Sequence, residues 1–273
     1  MSVLLKCPVR GCGETLHDRG PLWRCDRAHS FDRHRSGALN LLQPQDKRSK
    51  SPGDSRETAL ARRRLTDAGI LRPVHDAFRH AIGARVARGA ALLDVGCGEG
   101  ALLRTLHDGY PLELHGVDLS SPAIELAAKA SPDARFLVAN ADRALPYADA
   151  SFDVVTTIDA RANAQEFARV LKPGGLVLAA VPAADDLIEL RERLYEAKVE
   201  RPRAERLERE LGTRFEVQER SSVRERRQLE PSTLRDLLTA TYRGFRASEQ
   251  AAVAALEPMS VTLSHDLIAL RLR

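Results

Sequence analysis

The chain has 273 residues, 43% hydrophobic and 29% charged, which is enough for one large domain or a medium domain with a small appendage. Its longest apolar run, near residues 175–180, is far short of the roughly 20 residues of a membrane span, and no basic region followed by a long apolar stretch opens the chain, so a soluble cytoplasmic protein is expected. Residues 1–90 hold 18 basic and 9 acidic groups and residues 91–273 hold 24 and 29, so the two parts carry +9 and −5; a basic front suggests a polyanionic partner, with a solvated surface as the competing reading.

Residues 1–42 are rich in Cys, His and turn formers. Cys7-x4-Cys12, then twelve residues, then Cys25-x3-His29 supply three thiolates and one imidazole, the donor set of a closed tetrahedral zinc site. Such a site is structural, because about forty residues cannot bury enough apolar surface alone. His17 and His34 are competing ligands. Residues 43–55 are polar and proline-punctuated and read as a connector. Asp54 with Glu57 resembles a capping box for a helix to about Ala68, closed by Gly69, and Pro73 opens a second helix to about Val86. Residues 43–89 are therefore a basic linker with helices.

From residue 90 short apolar runs alternate with helical stretches. Strands are expected at 91–95, 112–118, 135–139, 152–158 and 176–181, with helices from Ala101, over 122–130 and up to Leu171. The alternation predicts an α/β fold, a doubly wound sheet over residues 90–273 behind a small zinc-ribbon-like domain. Charged helical segments follow to about Leu211, then a segment at 215–229, a helix near 232–238 and a closing apolar run at 260–272.

Leu92-Leu93-Asp94-Val95-Gly96-Cys97-Gly98-Glu99-Gly100 is a strand running into a glycine loop that opens a helix. Gly96, Gly98 and Ala101 also satisfy the dinucleotide pattern. The surrounding acids favour S-adenosylmethionine: Asp94 can meet an ammonium but would repel a pyrophosphate. Asp118, beside Leu119, ends the next strand where a carboxylate can accept two ribose hydroxyls. Asn140, Ala141 and Asp142 follow the third strand, where an amide or carboxylate can take an adenine amino group. Cys97 reads as packed within the loop, and no P-loop is present.

Together these motifs resemble the bacterial large-subunit ribosomal RNA (guanine-N1)-methyltransferases that carry an amino-terminal zinc domain, a family with macrolide-resistance members. The resemblance runs to about Tyr195 and rests on Cys25-x3-His29-x-Phe31-Asp32, Gly37-x-Leu39-Asn40-Leu41-Leu42, Lys47-Arg48-Ser49, Pro52-Gly53-Asp54-Ser55, Ala61-Arg62-Arg63, Asp67-Ala68-Gly69 and the glycine loop. It implies a class I methyltransferase sheet, a zinc domain that helps recognise a ribosomal RNA hairpin, and often a homodimer. Leu71 stands where the family has a tyrosine and Asp186 where it has a histidine, and the resemblance makes both cofactor-adjacent. After the fourth strand the family has an aromatic residue and Ala-Pro, whereas this chain reads Ile158-Asp159-Ala160-Arg161. The family's Thr-Pro-Phe survives loosely as Thr241-Tyr242-Arg243-Gly244-Phe245.

Methyl transfer to a nitrogen mainly requires positioning and proton removal. Asp159 is the catalytic candidate for guanine N1, with helix capping as the alternative. Lys47, Arg48, Lys50, Arg62, Arg63, Arg64 and Arg161 could grip phosphates: as a group the run fits an RNA face, while each singly reads rather as a solvated residue. Two other readings stand beside this one: a small-molecule methyltransferase, and a non-catalytic zinc and RNA-binding protein that keeps the cofactor fold.

Overall fold

The computed structural model describes residues 3–46, 52–107, 111–195, 203–241 and 253–273. Lys47, Arg48 and Lys50 lie outside them, as do residues 242–245 of the carboxy-terminal motif. Three short strands, β1 (Leu16–Asp18), β2 (Leu22–Cys25) and β3 (Ser30–Asp32), form an antiparallel ribbon with Leu16 opposite Cys25 and Trp23 opposite Phe31. The next strand, β4 (Leu39–Asn40), belongs to the large sheet instead.

Helix α1 (Arg56–Asp67) is capped by Ser55 rather than Asp54: the Ser55 hydroxyl accepts from the Thr58 N–H at 3.1 Å. Gly69, at φ +72°, turns the chain out of it. Helix α2 (Arg72–Arg85) begins around Pro73 and buries Val74, Phe78 and Ile82, four residues apart on one face.

The alternating region folds as β5 (Ala91–Val95), α3 (Ala101–His107), β6 (Glu113–Asp118), α4 (Ser121–Ala130), β7 (Arg135–Val138), β8 (Phe152–Ile158), α5 (Ala164–Val170) and β9 (Leu171–Pro182). β9 starts five residues earlier than expected. The Lys172-Pro173-Gly174-Gly175 turn is an irregularity inside it, where Phe152 pairs Leu171 but Val154 pairs Leu176. There follow α6 (Ile188–Tyr195), α7 (Ala204–Leu211), β10 (Phe215–Leu229), α8 (Pro231–Thr241) and β11 (Met259–Leu272).

The large sheet has the order β10-β11-β9-β8-β5-β6-β7-β4, parallel from β9 to β4, with β11 antiparallel to both neighbours. Side chains alternate across it: Leu93, Val95 and Val155 enter one core and Leu92 and Val154 the other. The ribbon adds Cys7, Leu16 and Cys25 to the first of these cores, where Val3 and Leu5 also lie. The expected boundary at residue 42 therefore falls just past a strand that the large sheet already holds. Strand order reverses at β5, between β6 and β8, and a ligand crevice is expected at the carboxyl ends of those strands.

Candidate functional site

Gly11 and Gly13 take left-handed φ values on either side of Cys12, and Cys25 donates its N–H to the His29 carbonyl at 3.0 Å. These turns bring the four donor atoms of Cys7, Cys12, Cys25 and His29 within 4.8 Å of one another. His29 Nδ1 lies 3.5 Å from Cys7 Sγ and 3.4 Å from Cys25 Sγ, and the Cys12 and Cys25 sulfurs are 3.8 Å apart. Zinc bound tetrahedrally to thiolate and imidazole needs separations of about 3.5–3.8 Å, so the donor set fits the ion. His17 and His34 are turned to Asp26 and Ser36 instead. With four protein donors no coordination position remains open, and the zinc is structural.

A cleft of about 640 Å³ lies at the carboxyl ends of β5 to β8. A Cβ on Gly96 would fall 2.3 Å from Ala160 Cβ and one on Gly100 2.9 Å from Ala127 Cβ, so these glycines permit close packing. A Cβ on Gly98 would meet nothing within 4 Å. Gly98 lines the cleft, and its N–H donates to Asp118 Oδ2 at 2.9 Å while Asp118 Oδ1 accepts from the Ser120 N–H at 2.8 Å. Each oxygen keeps a second lone pair, enough to accept a diol. Burial pushes the Asp118 carboxyl above its ordinary range against those two bonds.

Leu119, Asn140, Ala141 and Asp142 line the same cleft. The Asn140 amide donates to the Asp46 carbonyl and accepts from the Asp142 N–H, and Asp142 pairs with Arg161 at 3.2 Å. One wall is the connector. A Cβ on Gly53 would lie 2.6 Å from the Ser120 nitrogen, so a glycine is required there, and the Ser120 hydroxyl donates to the Asp54 carbonyl. Asp46, Asp54, Asp118, Asp142 and Asp159 line the cleft against the cations Arg62 and Arg161. That excess of carboxylates suits a sulfonium cofactor and disfavours a pyrophosphate.

Behind the glycine loop a small recess of about 70 Å³ is lined by Leu71, His75, Asp94, Glu99, Asp159 and His265, among others. Asp94 accepts from the Thr156 hydroxyl at 2.8 Å, and burial pushes its carboxyl up to about 7. Burial also drives His75 down to about 4. The Glu99 carboxylate is turned away to α1, 2.5 Å from Arg63 Nε and 3.1 Å from the Thr66 hydroxyl. A third, mostly apolar recess of about 70 Å³ shares Leu71, Asp159 and His265 and adds Asp186. Asp186 accepts from the Ser264 N–H at 2.9 Å and is pushed up to about 6 by burial. Asp159 and Arg62 border all three spaces.

The structure corrects the reading of α1 as a phosphate grip. Arg62 donates to the Ala240 carbonyl, Arg63 is paired with Glu99, and Arg64 makes a two-pronged bond to Asp236. These side chains brace the helix against the protein. The sequence reading missed His265, whose Nε2 lies 3.3 Å from Asp159 Oδ2, and it missed the connector wall.

A glycine loop at the switch point and acidic strand ends around a cation-favouring cleft define a class I S-adenosylmethionine-dependent methyltransferase. Residues 92–175 match a family model described as a methyltransferase domain, and residues 5–50 match one described as RlmA, N-terminal, a zinc ribbon. A Micromonospora griseorubida protein provisionally named 23S rRNA (guanine-N(1)-)-methyltransferase is 35% identical over 94% of this chain and 94% of its own. The Streptomyces fradiae 23S rRNA (guanine(748)-N(1))-methyltransferase is 34% identical over 78% of this chain and 75% of its own. The chain belongs to the 23S rRNA (guanine-N1)-methyltransferase family. The YcgJ protein of Bacillus subtilis shares the fold, with a TM-score of 0.52 at 19% identity over 73% of this chain and 99% of its own.

Proposed function

We propose that the protein transfers the methyl group of S-adenosylmethionine to N1 of a guanine in a hairpin loop of 23S ribosomal RNA, in the cytoplasm. The observation that carries the reading is the fusion of ribbon and cleft: Leu5 bridges Tyr147 and β4 pairs with β7, so the ribbon is fixed to the sheet whose strand ends form the cleft. An RNA gripped by the ribbon is thereby held at a set distance from the cofactor. Residues 1–42 serve recognition, 43–89 wall and brace the cleft, and 90–273 bind the cofactor. In this reading Asp118 takes the ribose, Asn140, Ala141 and Asp142 the adenine, and Asp94 the methionyl ammonium.

The bound cofactor supplies a methyl group already activated on a sulfonium. The chain's residues therefore hold the acceptor and remove its proton. Asp159, at the tip of β8, is the group for that proton. Among the described residues no Phe, Tyr or Trp lines the cleft or its recesses, so the flat groups there that can stack on a base are the guanidinium of Arg161 and the imidazoles of His75 and His265.

Arg19, Arg24 and Arg35 are exposed on the ribbon segment. Replacing all three by alanine is expected to weaken binding of 23S transcripts and to reduce the slope of log affinity against log salt by about 2–3, because each lost phosphate contact removes about one released counterion. Turnover at saturating RNA should hold. Mass spectrometry of nuclease digests should find 1-methylguanosine at one site. No methylated nucleotide in 23S RNA would sink the reading, and an unchanged salt slope would remove the ribbon from it.

Asp94 sets a pH dependence. With its carboxyl at about 7 in the free protein, a cationic ligand binds the ionised form better. Cofactor affinity is therefore expected to rise with pH up to about 7, by up to about tenfold per unit well below it, and to level off above. Calorimetry at pH 6 in buffers of different ionisation enthalpy should register proton release. Asp94→Asn should flatten the curve, and a flat curve in the wild-type protein would remove Asp94 from the cofactor.

A further inference from the structure

Asp159 is one of four described non-glycine residues with positive φ, at +57°. Its N–H donates to the Ala180 carbonyl at 3.0 Å, which holds it there. A left-handed aspartate at a strand tip costs free energy and persists where the surroundings over-determine it. Here the conformation aims the carboxylate across β9 toward β11, where His265 Nε2 meets Oδ2 at 3.3 Å. The two side chains are 29% and 16% exposed. Both border the glycine-loop recess and the apolar recess, so they stand between the cofactor's space and the space beside it.

We infer that His265 is a positioning residue for methyl transfer, holding Asp159 so that its free oxygen faces the acceptor nitrogen and controlling how strongly that oxygen takes the proton. The inference rests on the guanine-N1 reading above. With one oxygen on His265, Asp159 Oδ1 is left for the acceptor. The N1–H proton passes to Oδ1; the electron pair of that bond stays on N1 and forms the new N–CH3 bond. The pair of the breaking S–CH3 bond goes to sulfur, which leaves as a neutral thioether.

Several charged groups surround the imidazole. Asp159 faces it from β8, Asp186 from the turn before α6, Asp266 from its own strand and His75 from α2. Arg62 of α1 and Glu225 of β10 border the shared recess. Burial lowers the His265 imidazole, but Asp159 and Asp186 outweigh it and raise it above its ordinary value. Burial raises the Asp159 carboxyl, but His265, then Arg62 and Arg203, outweigh it and hold it below its ordinary range. An ion-paired carboxylate is a weak base. Loss of the imidazole proton strengthens it, so turnover should climb as His265 deprotonates, above pH 6.5, the pair titrating as a unit.

The test is a pH profile of single-turnover methylation with saturating RNA and cofactor, for wild type, His265→Ala and His265→Asn. His265→Ala is expected to lose about 10–100-fold in rate while keeping cofactor affinity within about threefold and its thermal midpoint within a few degrees. His265→Asn keeps a donor for Asp159 and should recover most of the rate at high pH, but without the break in the profile that the imidazole causes. A break that survives in His265→Asn, or a His265→Ala enzyme as fast as wild type, overturns the inference. A wild-type protein that methylates no guanine would instead sink the underlying reading.

Discussion

Cys25→Ala is expected to empty the zinc site and to lower the thermal midpoint of the whole chain, beyond any loosening of the first forty residues. Structural zinc in small domains contributes about 10–16 kcal/mol of apparent binding free energy, comparable to or above the roughly 5–15 kcal/mol that holds a whole domain folded. Without it the turns around Cys12 and Cys25 have little to hold them. Cys7, Leu16 and Cys25 are buried in the same core as Leu93, Val155 and Phe167, so their release exposes apolar surface of the methyltransferase sheet. β4 would lose its support as well, uncovering the edge of β7. The cofactor should then bind more weakly, since the connector that walls the cleft starts just past β4. Metal analysis should give one zinc per wild-type chain and none in the variant, and calorimetry should show one lowered transition. His29→Cys alone, which preserves four donors, should keep both the zinc and the wild-type midpoint. Two separate transitions with the upper one unmoved would show that ribbon and sheet unfold independently.

The features legible in the sequence are those whose partners lie nearby in the chain. The zinc ligands sit on two tight turns, and the glycine loop joins a strand to the helix that follows it, so spacing alone carries the information. Readings failed where the partner was distant. Arg63 and Arg64 look like a basic stripe, yet their partners Glu99 and Asp236 stand 36 and 172 residues away. The segment Phe215–Leu229 has charges at seven of fifteen positions and only four apolar residues, because it is an edge strand whose register comes from β11, beyond α8. Gly53 reads as a turn residue; its other constraint, the Ser120 backbone, lies in the loop after β6. His265 stands between Ser264 and Asp266 in the closing run with nothing local to single it out, and the left-handed turn at Asp159 on another strand brings the carboxylate that it bonds.

Asp118→Ala is expected to weaken S-adenosylmethionine by on the order of a hundredfold and Asp142→Ala by less than tenfold. A hydrogen bond to a charged group contributes about 1.5–3 kcal/mol, and each 1.4 kcal/mol is tenfold in affinity, so a carboxylate that takes two ribose hydroxyls has the larger effect. Asp142 is 37% exposed and paired with an Arg161 that is 77% exposed, where solvent competes for every contact. Asp118 has a second role that must be separated from the first, since its oxygens also hold the Gly98 and Ser120 N–H groups and so shape the loop. A cofactor analogue lacking the ribose 2′-hydroxyl makes the separation. If Asp118 binds the diol, the analogue should bind the wild-type protein weakly and suffer a smaller further loss in Asp118→Ala, because one of the bonds is already gone. Equal losses for cofactor and analogue would assign the carboxylate to loop architecture alone, and calorimetric affinity within threefold of wild type would remove Asp118 from the cofactor site.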